Sequence, residues 1–398
     1  MPNKPPAKRI LLAIGPGDVI MAYRDWKSGV RTPSETSITF SSQTFEALTA
    51  EGWAYWAVSS HEHENTLEEN GNVIENRPKS PGKISGGLNF HFVQLRYAWS
   101  LLRSARRFGA SHALVDSGTT HWFALALFRL AGVEVIANFH NVYWPVGYPP
   151  TRLWHRAFRA LDALFFRSAV RHALGVSAEC GRQVAELSRG RVSFNEYRAQ
   201  FCANDFKAVT PASVPGSEVR LLFAGRIEIN KGVFDLLTIC EILNRDAGRS
   251  YVFEVCGDGT AFGRMHREVN ARRLGQQVLL RGKLIRSELL QAYSRAHFVI
   301  VPTRSDFCEG LPMVCAEAVI SGRPVVTSRL SNALEVLRGA VLEATENEPE
   351  TYAEQIAHCV DDQARYERMV AATASVRTQF LDPRRGLAAV LGQLLRRL

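Results

Sequence analysis

Two cations stand at a strand-to-helix junction in the sequence LLFAGRIEINKGVFDLL. The apolar run predicts a buried strand that ends at Ala224, Gly225 makes the turn, and a helix is predicted to begin at Lys231 and Gly232. Arg226 and Lys231 therefore lie on a loop at the sheet edge where open α/β sheets bind ligands. Two fixed cations beside the positive end of a helix dipole favour a bound diphosphate. A pair of solvated surface charges is the alternative interpretation, because most Arg and Lys side chains are exposed.

Two carboxylates follow in the segment VIVPTRSDFCEGLPMVCAEAVISGRPVVTS. A strand is predicted to end at Val301, and Pro312 is well placed as the first residue of a helix over 312–320. This arrangement puts Glu309 on the loop at the mouth of the helix and Glu317 more than one turn inside it.

The spacing of the two glutamates bears on the chemistry they can do. Eight positions separate Glu309 from Glu317, which is about 12 Å along a helix at ~1.5 Å per residue. The carboxylates of glycosidases lie about 5–5.5 Å or 6.5–9.5 Å apart, so a hydrolytic pair is disfavoured. Two separate anchor points on an extended ligand fit the spacing better. An exposed helix carboxylate is the alternative for Glu317, although its neighbours Ala316 and Ala318 are small and the segment is largely apolar.

Alternating short β-branched runs and longer amphipathic segments must position these residues, and this pattern is typical of α/β units on parallel sheets. In the first half, strands are predicted at 9–14, 53–59, 112–116 and 133–139, and helices at 42–51, 93–108, 122–131 and 151–174. In the second half, strands are predicted at 219–224, 251–255, 278–281, 298–301 and 324–327, and helices at 232–243, 287–293 and 312–320. The polar segment 204–218 is the predicted linker. We expect two Rossmann-like domains facing each other across a cleft, at 1–205 and 206–382, with a C-terminal helix at 383–398 that returns toward the first domain.

Composition limits the class of protein. The chain has 398 residues, of which 46% are hydrophobic, so it can form two cores. Its net charge of +9 suits phosphorylated ligands or an anionic membrane surface. We do not expect nucleic acid as a partner, because no recognised binding motif accompanies the charge.

The cysteines and the N-terminus indicate the compartment. The seven cysteines are odd in number and form no CxxC pair, which predicts a reducing, cytoplasmic location. The apolar stretch at 10–14 is shorter than the ~7–15 residues of a signal-peptide core, so we expect a buried strand there. His61 and His63 in SSHEHENTLEEN are interpreted as part of a polar loop, and no metal site is expected.

The combination GR-x4-KG followed by EGLPMVCAE resembles the retaining family 4 glycosyltransferases of the GT-B fold. SRAHFVIVPTRS and SGRPVVTSRLSNALEVL also resemble this family, so the likeness covers roughly residues 219–345. NFHNVYW and LGVSAECGRQV resemble it more loosely. The resemblance implies a retaining, metal-independent hexosyltransferase that needs no cofactor. Its donor would be a UDP- or GDP-sugar, and its acceptor a glycan or lipid-linked glycan of bacterial surface polysaccharide or exopolysaccharide.

The resemblance also implies roles for individual residues. Arg226 and Lys231 would neutralise the donor diphosphate, Glu309 would bind hydroxyls of the sugar, and Glu317 would bind the ribose. The remaining positions that match the donor site are Gly225, Gly310, Leu311, Lys283 and Leu284: the amides near Gly310 and Leu311 would meet the phosphates, and Lys283 and Leu284 would line the base pocket. His140 would reach the sugar from the first domain, although a structural hydrogen-bonding role is the alternative for a histidine at a strand end.

Some features depart from the family pattern. The first βα loop, GPGDVIMAYRDWKSG, is longer than the family's short glycine turn, and with SETSITFSSQTFEAL it is expected to shape the acceptor side. Leu311 replaces a frequent aromatic residue. A sugar-nucleotide epimerase of the same fold, or an inactive nucleotide-sugar-binding protein, remains as an alternative.

The segment 151–174 is amphipathic at the helical period. Its apolar positions, expected to pack on the sheet, are Trp154, Ala157, Phe158, Leu161, Leu164 and Phe165. Its opposite face, expected to be solvated, carries Arg152, His155, Arg156, Arg159 and Arg167. We expect this basic face to dock on anionic lipid without inserting, which would make the protein peripheral on the cytoplasmic face of the membrane.

Overall fold

The computed structural model describes residues 8–31, 35–80, 86–245 and 248–398. The strands of the first part are β1 (Arg9–Ile14), β2 (Ser37–Ile38), β3 (Ala54–Ser59), β4 (Asn65–Glu69), β5 (Asn72–Asn76), β6 (His112–Asp116), β7 (Glu134–Phe139), β8 (Val170–Gly175), β9 (Ser193–Glu196) and β10 (Gln200–Phe201). Its helices are α1 (Val19–Ser28), α2 (Phe40–Ala50), α3 (Leu88–Phe108), α4 (Ala126–Leu130), α5 (Leu153–Ser168) and α6 (Ala178–Ser188), with 3₁₀ helices at Trp122–Leu125 and Ala203–Phe206.

The second part continues the same alternation of strands and helices. Its strands are β11 (Glu218–Ala224), β12 (Ser250–Cys256), β13 (Val278–Gly282), β14 (Phe298–Val301), β15 (Val325–Thr327) and β16 (Val341–Glu343). Its helices are α7 (Val233–Leu243), α8 (Phe262–Ala271), α9 (Arg286–Arg295), α10 (Met313–Ile320), α11 (Pro349–Asp361), α12 (Gln363–Val376), α13 (Thr378–Leu381) and α14 (Leu387–Leu395). Single 3₁₀ turns lie at Ile229–Lys231, Arg329–Ser331 and Pro383–Arg385.

Two parallel sheets organise the described residues. The first has the order β4-β5-β3-β1-β6-β7-β8-β9, and its edge strand β4 is antiparallel to β5. The second has the order β13-β12-β11-β14-β15-β16 and is parallel throughout. Strand order reverses at β1 and at β11, and such reversals open a crevice at the carboxyl ends of the strands. The predicted α/β class with two Rossmann-like sheets is confirmed.

The predicted helix over 151–174 is wrong in its last quarter, after residue 168. Helix α5 ends at Ser168, and β8 begins at Val170 and pairs in parallel with β7. The chain here reads AVRHALG, a short apolar run that helical periodicity alone does not distinguish from a strand. The run forms a strand because it pairs with β7 on one side and β9 on the other. The predicted helix over 122–131 is likewise divided into a 3₁₀ helix and α4.

The faces assigned to α5 are right only in part: Phe165 is buried and Arg152 and Arg156 are exposed as expected, but other positions differ. Leu161 and Leu164 are exposed to solvent, whereas Phe166 is buried against the sheet. The buried Asp162 lies on the inward side, where it accepts hydrogen bonds from the Tyr143 hydroxyl and the Phe123 N–H. These bonds satisfy a carboxylate that would otherwise be costly to bury.

Two features of the first domain differ from the sequence-based expectation. The first βα loop is short rather than long, because α1 begins at Val19 and the Asp18 carboxylate caps it by accepting from the Ile20 and Met21 N–H groups. The hairpin of β4 and β5 was not predicted. Its turn residues Asn70 and Gly71 both have positive φ. Asn-Gly is the strongest short-range signal for a hairpin, so the hairpin could have been predicted from the sequence.

The chain crosses back to the first sheet at its C-terminus. Helix α14 packs against α2, and its Leu387, Leu391 and Leu394 belong to the core of the first sheet. The Leu387 N–H also donates to the Gln43 side chain over 2.8 Å. None of the described helices is both long and apolar enough to cross a membrane.

The packing of α14 predicts a large effect on stability. Leu391 is 0% exposed, so Leu391→Ala leaves a cavity and should lower the free energy of unfolding by about 2–5 kcal/mol, measured by urea denaturation. Leu130→Ala is the matched control, because Leu130 is 83% exposed and the change should be within about 0.5 kcal/mol. Equal stability of the two variants would contradict the packing of α14 on the first domain.

Candidate active site

The loops that follow β11 and β14 meet at one edge of the second sheet. Gly232 closes the 3₁₀ turn Ile229–Lys231 with a φ of +72°, and a Cβ at this position would overlap the carbonyl oxygen of Pro302. Glycine therefore permits the close approach of the two loops. Lys231 is brought in this way to the loop that carries Glu309.

Lys231 and Glu309 form an ion pair at this junction, with side chains 16% and 9% exposed. Glu309 also accepts a hydrogen bond from the Thr303 hydroxyl over 3.3 Å. The Lys231 Nζ lies 4.2 Å from the centroid of the Phe307 ring, and the Arg226 guanidinium carbon lies 5.7 Å from the same centroid. The structure thus groups both predicted cations around one aromatic ring, beside a buried carboxylate.

Glu317 lies on α10 and is buried among other partners. It accepts a hydrogen bond from the Tyr293 hydroxyl over 2.5 Å and another from the hydroxyl of Thr36, a residue of the first domain. Burial raises the pKa of Glu317, while the bonds from Thr36 and Tyr293 lower it. Burial also raises the pKa of Tyr293 far above its ordinary value, so this hydroxyl remains a donor. Glu309 and Glu317 share no partner among these contacts.

The predicted donor residues divide into two groups. Five of them line one cavity of about 630 Å³ at the carboxyl ends of β11 and β12: Gly225, Arg226, Lys283, Leu284 and Glu317. The other predicted residues do not line that cavity. They lie around the junction with the first domain: Lys231, Glu309, Gly310, Leu311 and His140.

Gly310 connects the two domains. A Cβ at this position would overlap the carbonyl oxygen of His140, so only glycine allows the EG loop to approach the end of β7 this closely. His140 therefore lies next to Glu309 in space, although 169 positions separate them in sequence.

The His140 ring is held on several sides. Its Nε2 lies 3.1 Å from the Asp116 carboxylate, and its Nδ1 lies 3.1 Å from the Tyr197 hydroxyl. The Phe40 ring stacks on it with centroids 4.7 Å apart. The ring is thus fixed in orientation, an arrangement that serves a structural histidine and a positioned catalytic one alike.

A second cavity of about 290 Å³ opens on the first-domain side of the same junction. Its lining includes Thr120, His121, Asn141, Asp162 and, from the second domain, Cys308. Burial raises the pKa of Asp162 to about 6, against the lowering effect of the bonds from Tyr143 and Phe123. In the same way, burial lowers the pKa of His121 to about 4, so its ring is neutral at ordinary pH.

Sequence reasoning missed several residues of the site. Thr36, Tyr293 and Phe307 contact the predicted site residues, and Asp116 and Tyr197 hold His140. Asp116 ends a predicted strand, at the edge where ligands bind, and that signal could have singled it out. Thr36 comes from the other domain and carries no local signal. Among the described residues, no group of three or more His, Cys, Asp or Glu side chains is arranged to hold a metal ion.

Two Rossmann-like domains that meet at a shared junction are the architecture of the GT-B fold. Residues 210–376 match the family described as glycosyl transferases group 1. The α-D-kanosaminyltransferase of Streptomyces kanamyceticus is 25% identical over 293 residues, which cover 68% of this chain and 73% of that protein. The chain thus has the GT-B fold, and its second domain matches the group 1 glycosyl transferase family.

Solved structures support the same fold. Sucrose-phosphate synthase from Thermosynechococcus elongatus superposes with a TM-score of 0.71 at 16% identity, over 98% of both chains. HepE of Anabaena in complex with UDP gives a TM-score of 0.64 at 12% identity, again over 98% of both chains. At these identities the likeness concerns the fold.

The raised pKa of Asp162 predicts a pH dependence of stability. The folded protein keeps this carboxyl protonated up to about pH 6, whereas the unfolded chain releases the proton near pH 4, so the free energy of unfolding falls as pH rises through this window. The wild type should lose roughly 2–3 kcal/mol of unfolding free energy between pH 4 and pH 6 through this group, as measured by urea denaturation. Asp162→Asn removes the titrating carboxyl, so this decrease should be absent from its pH profile. Asp361→Asn, at an exposed site, is the control and should follow the wild type. Parallel profiles of Asp162→Asn and wild type would contradict the shift.

Proposed function

We propose that the protein is a retaining, metal-independent hexosyltransferase that transfers a sugar from a nucleoside diphosphate to a glycan or lipid-linked glycan. The observation that carries this proposal is the junction of Arg226, Lys231 and Glu309 beside the cavity that holds Glu317. The protein would act in the cytoplasm, in the synthesis of a bacterial surface polysaccharide or exopolysaccharide. It would use the nucleotide-sugar as a substrate and need no further cofactor.

The 630 Å³ cavity is of the size that small-molecule sites have. The base would lie against Lys283 and Leu284, and the ribose hydroxyls would donate to Glu317. Because Thr36 already donates to that carboxylate, a ribose would have to take the place of the Thr36 hydroxyl. This exchange keeps a buried carboxylate hydrogen-bonded at every stage, which limits its energetic cost.

The diphosphate would lie between the cavity and the junction. Arg226 and Lys231 would contact its oxygens together with the backbone amides near Gly310 and Leu311. When Lys231 binds a phosphate, Glu309 would lose its ion-pair partner. It would then accept hydrogen bonds from hydroxyls of the donor sugar. A UDP-sugar is the favoured donor, because HepE, which has this fold, was solved with UDP and with UDP-glucose.

Transfer would follow from the charges at the junction. Departure of the leaving group builds negative charge on the diphosphate, and preorganised cations stabilise it without reorganisation. His140, fixed by Asp116 and Tyr197, would contact the sugar from the opposite domain. The second cavity, which joins this point through Cys308, would receive the acceptor.

Donor binding tests the proposal directly. A panel of UDP-, GDP- and ADP-sugars should contain at least one that raises the melting temperature, because a ligand that binds only the folded state stabilises it. Lys231→Ala should weaken binding of the free nucleoside diphosphate by about 1.5–3 kcal/mol, the loss of a charge-assisted hydrogen bond, as measured by calorimetry.

The exposed Lys207 provides the control for this experiment. Lys207→Ala should bind the nucleotide as the wild type does. No shift with any donor, or unchanged affinity in Lys231→Ala, would overturn the proposed donor site.

Turnover separates an enzyme from a binding protein. Glu309→Gln keeps the size of the side chain but removes its charge, so the transfer rate should fall roughly ten- to hundredfold while the fold is kept. Glu335→Gln, at an exposed position, should transfer normally. The product of the wild type should keep the anomeric configuration of the donor by NMR. Donor binding without transfer would favour an inactive or epimerase-like protein, and an inverted product would exclude the retaining mechanism.

A further inference from the structure

Exposed apolar side chains are concentrated on one part of the first domain. Eleven of the seventeen large apolar side chains that are exposed among the described residues lie on α3, α4 and α5. Scattered exposed apolar residues are ordinary, but a continuous group of them marks an interaction surface.

Helix α3 carries a second apolar stripe opposite to its core face. Leu88, Phe92, Leu95 and Trp99 follow one another at helical spacing, and Phe92 is 65% exposed. The core side of the same helix is formed by other residues, such as Val93 and Leu101. The exposed stripe is therefore additional to the packing that holds α3 on the sheet.

Helix α5 repeats this arrangement. Leu153, Trp154, Leu161 and Leu164 point away from the sheet, and Leu153 is 80% exposed. The two stripes belong to one surface at their N-terminal ends, since the His91 ring of α3 stacks on Phe158 of α5 with centroids 4.7 Å apart.

The topology puts all three helices on the same side of the sheet. The connections β5 to β6, β6 to β7 and β7 to β8 all progress in one direction across the strand order. Right-handed crossovers in one direction place their helices on one face. We name the outward side of α3, α4 and α5 the outer helix face. Its most prominent apolar side chains are Phe92, Leu95, Trp99, Leu130, Leu161 and Leu164.

The exposed charges on α3, α4 and the start of α5 are positive. Arg96, Arg103, Arg106 and Arg107 are exposed on α3, and Arg103, Arg106 and Arg107 line an open groove of about 770 Å³ together with Arg77. Exposed arginines also follow on α4 and at the start of α5, at Arg129, Arg152 and Arg156.

The same groove also contains Glu68 and Glu75 of the β4–β5 hairpin, and Glu75 pairs with Arg77. On the helices of the outer helix face, carboxylates are scarce. Between residues 86 and 178 the acidic residues are Asp116, Glu134 and Asp162. Asp162 is buried, Asp116 pairs with His140, and Glu134 pairs with Arg171.

From this combination we propose that the outer helix face docks on an anionic lipid bilayer and inserts its apolar side chains into the interface. Apolar residues with tryptophans at their margin, flanked by arginines, are the composition of interfacial membrane helices. A second copy of the chain fits less well, because a symmetric dimer through this face would place its arginines against each other. Insertion goes beyond electrostatic docking, in which salt would release the protein completely.

The outer helix face lies close to the second cavity. His121, which lines the second cavity, stacks on Phe158 of α5 with centroids 5.3 Å apart. A lipid-linked acceptor held in the bilayer would thus be presented at the cavity beside Glu309. This part of the inference rests on the proposed function, whereas docking itself does not.

Vesicle flotation with the full chain tests the docking. The wild type should float with phosphatidylglycerol-containing vesicles, less with pure phosphatidylcholine vesicles, and should remain partly bound at high salt. Trp99→Glu and Leu164→Glu should each weaken the partition coefficient by about tenfold or more, because burial of one large apolar side chain is worth that much. Val214→Glu is the matched control, since Val214 is an exposed apolar residue outside the face; it should bind as the wild type.

Insertion has a separate readout in tryptophan fluorescence. Brominated lipid should quench the wild type, and Trp99→Phe with Trp154→Phe should reduce that quenching. Failure to float, equal flotation of Trp99→Glu and Val214→Glu, or complete release by salt would overturn the proposal. A lipid-independent dimer that Leu164→Glu converts to a monomer would also overturn it, in favour of a second copy.

Nucleotide binding of the same variants keeps the two proposals apart. Trp99→Glu and Leu164→Glu should show the wild-type thermal shift with the nucleotide, because neither residue lies at the donor cavity. Loss of flotation with this shift intact supports docking alone, whereas flotation without any nucleotide shift would leave docking standing and overturn the proposed function.

Discussion

The burial of two carboxylates at the junction of the domains is the constraint on which the site depends. Glu309 and Glu317 are 7% and 8% exposed, and a carboxylate so far from water must be paired or hydrogen-bonded. Glu309 pairs with Lys231 and accepts a hydrogen bond from Thr303. Glu317 accepts hydrogen bonds from Tyr293 and Thr36. These contacts fix the loops and helices that carry the partners relative to one another.

This constraint also couples the two domains. Thr36 reaches Glu317 from the first domain, and Gly310 of the second domain contacts the main chain of His140. In the proposed donor complex, hydroxyls and phosphates of the substrate would replace Thr36 at Glu317 and Glu309 at Lys231, so binding would exchange hydrogen bonds rather than create them. Net affinity would then come from the difference between the two sets of partners, and the domains would respond to the substrate through Thr36.

The sequence predicted best where local pattern and chemistry coincide. Strands β1, β6 and β14 were predicted with their observed bounds, and β11 to within one residue, because each is a short, largely apolar run followed by turn or loop residues. The loops after them carry Arg226, Lys231 and Glu309, so this part of the site followed from local sequence.

The rest depended on contacts that local sequence does not contain. Strand β8 pairs with β7, α5 turns the hydrogen-bonded Asp162 inward, and Thr36 reaches Glu317 across 281 positions. The exposed stripe of α5 shows the same limit, because periodicity finds an apolar face but does not tell which way it points.

A crystal structure of the protein with UDP tests the central claim most directly. We expect the ribose hydroxyls within hydrogen-bonding distance of Glu317, the Thr36 hydroxyl displaced from that carboxylate, and the Lys231 Nζ on a phosphate oxygen instead of Glu309. UDP bound outside this cavity, or bound while Thr36 and Lys231 keep their present partners, would contradict it.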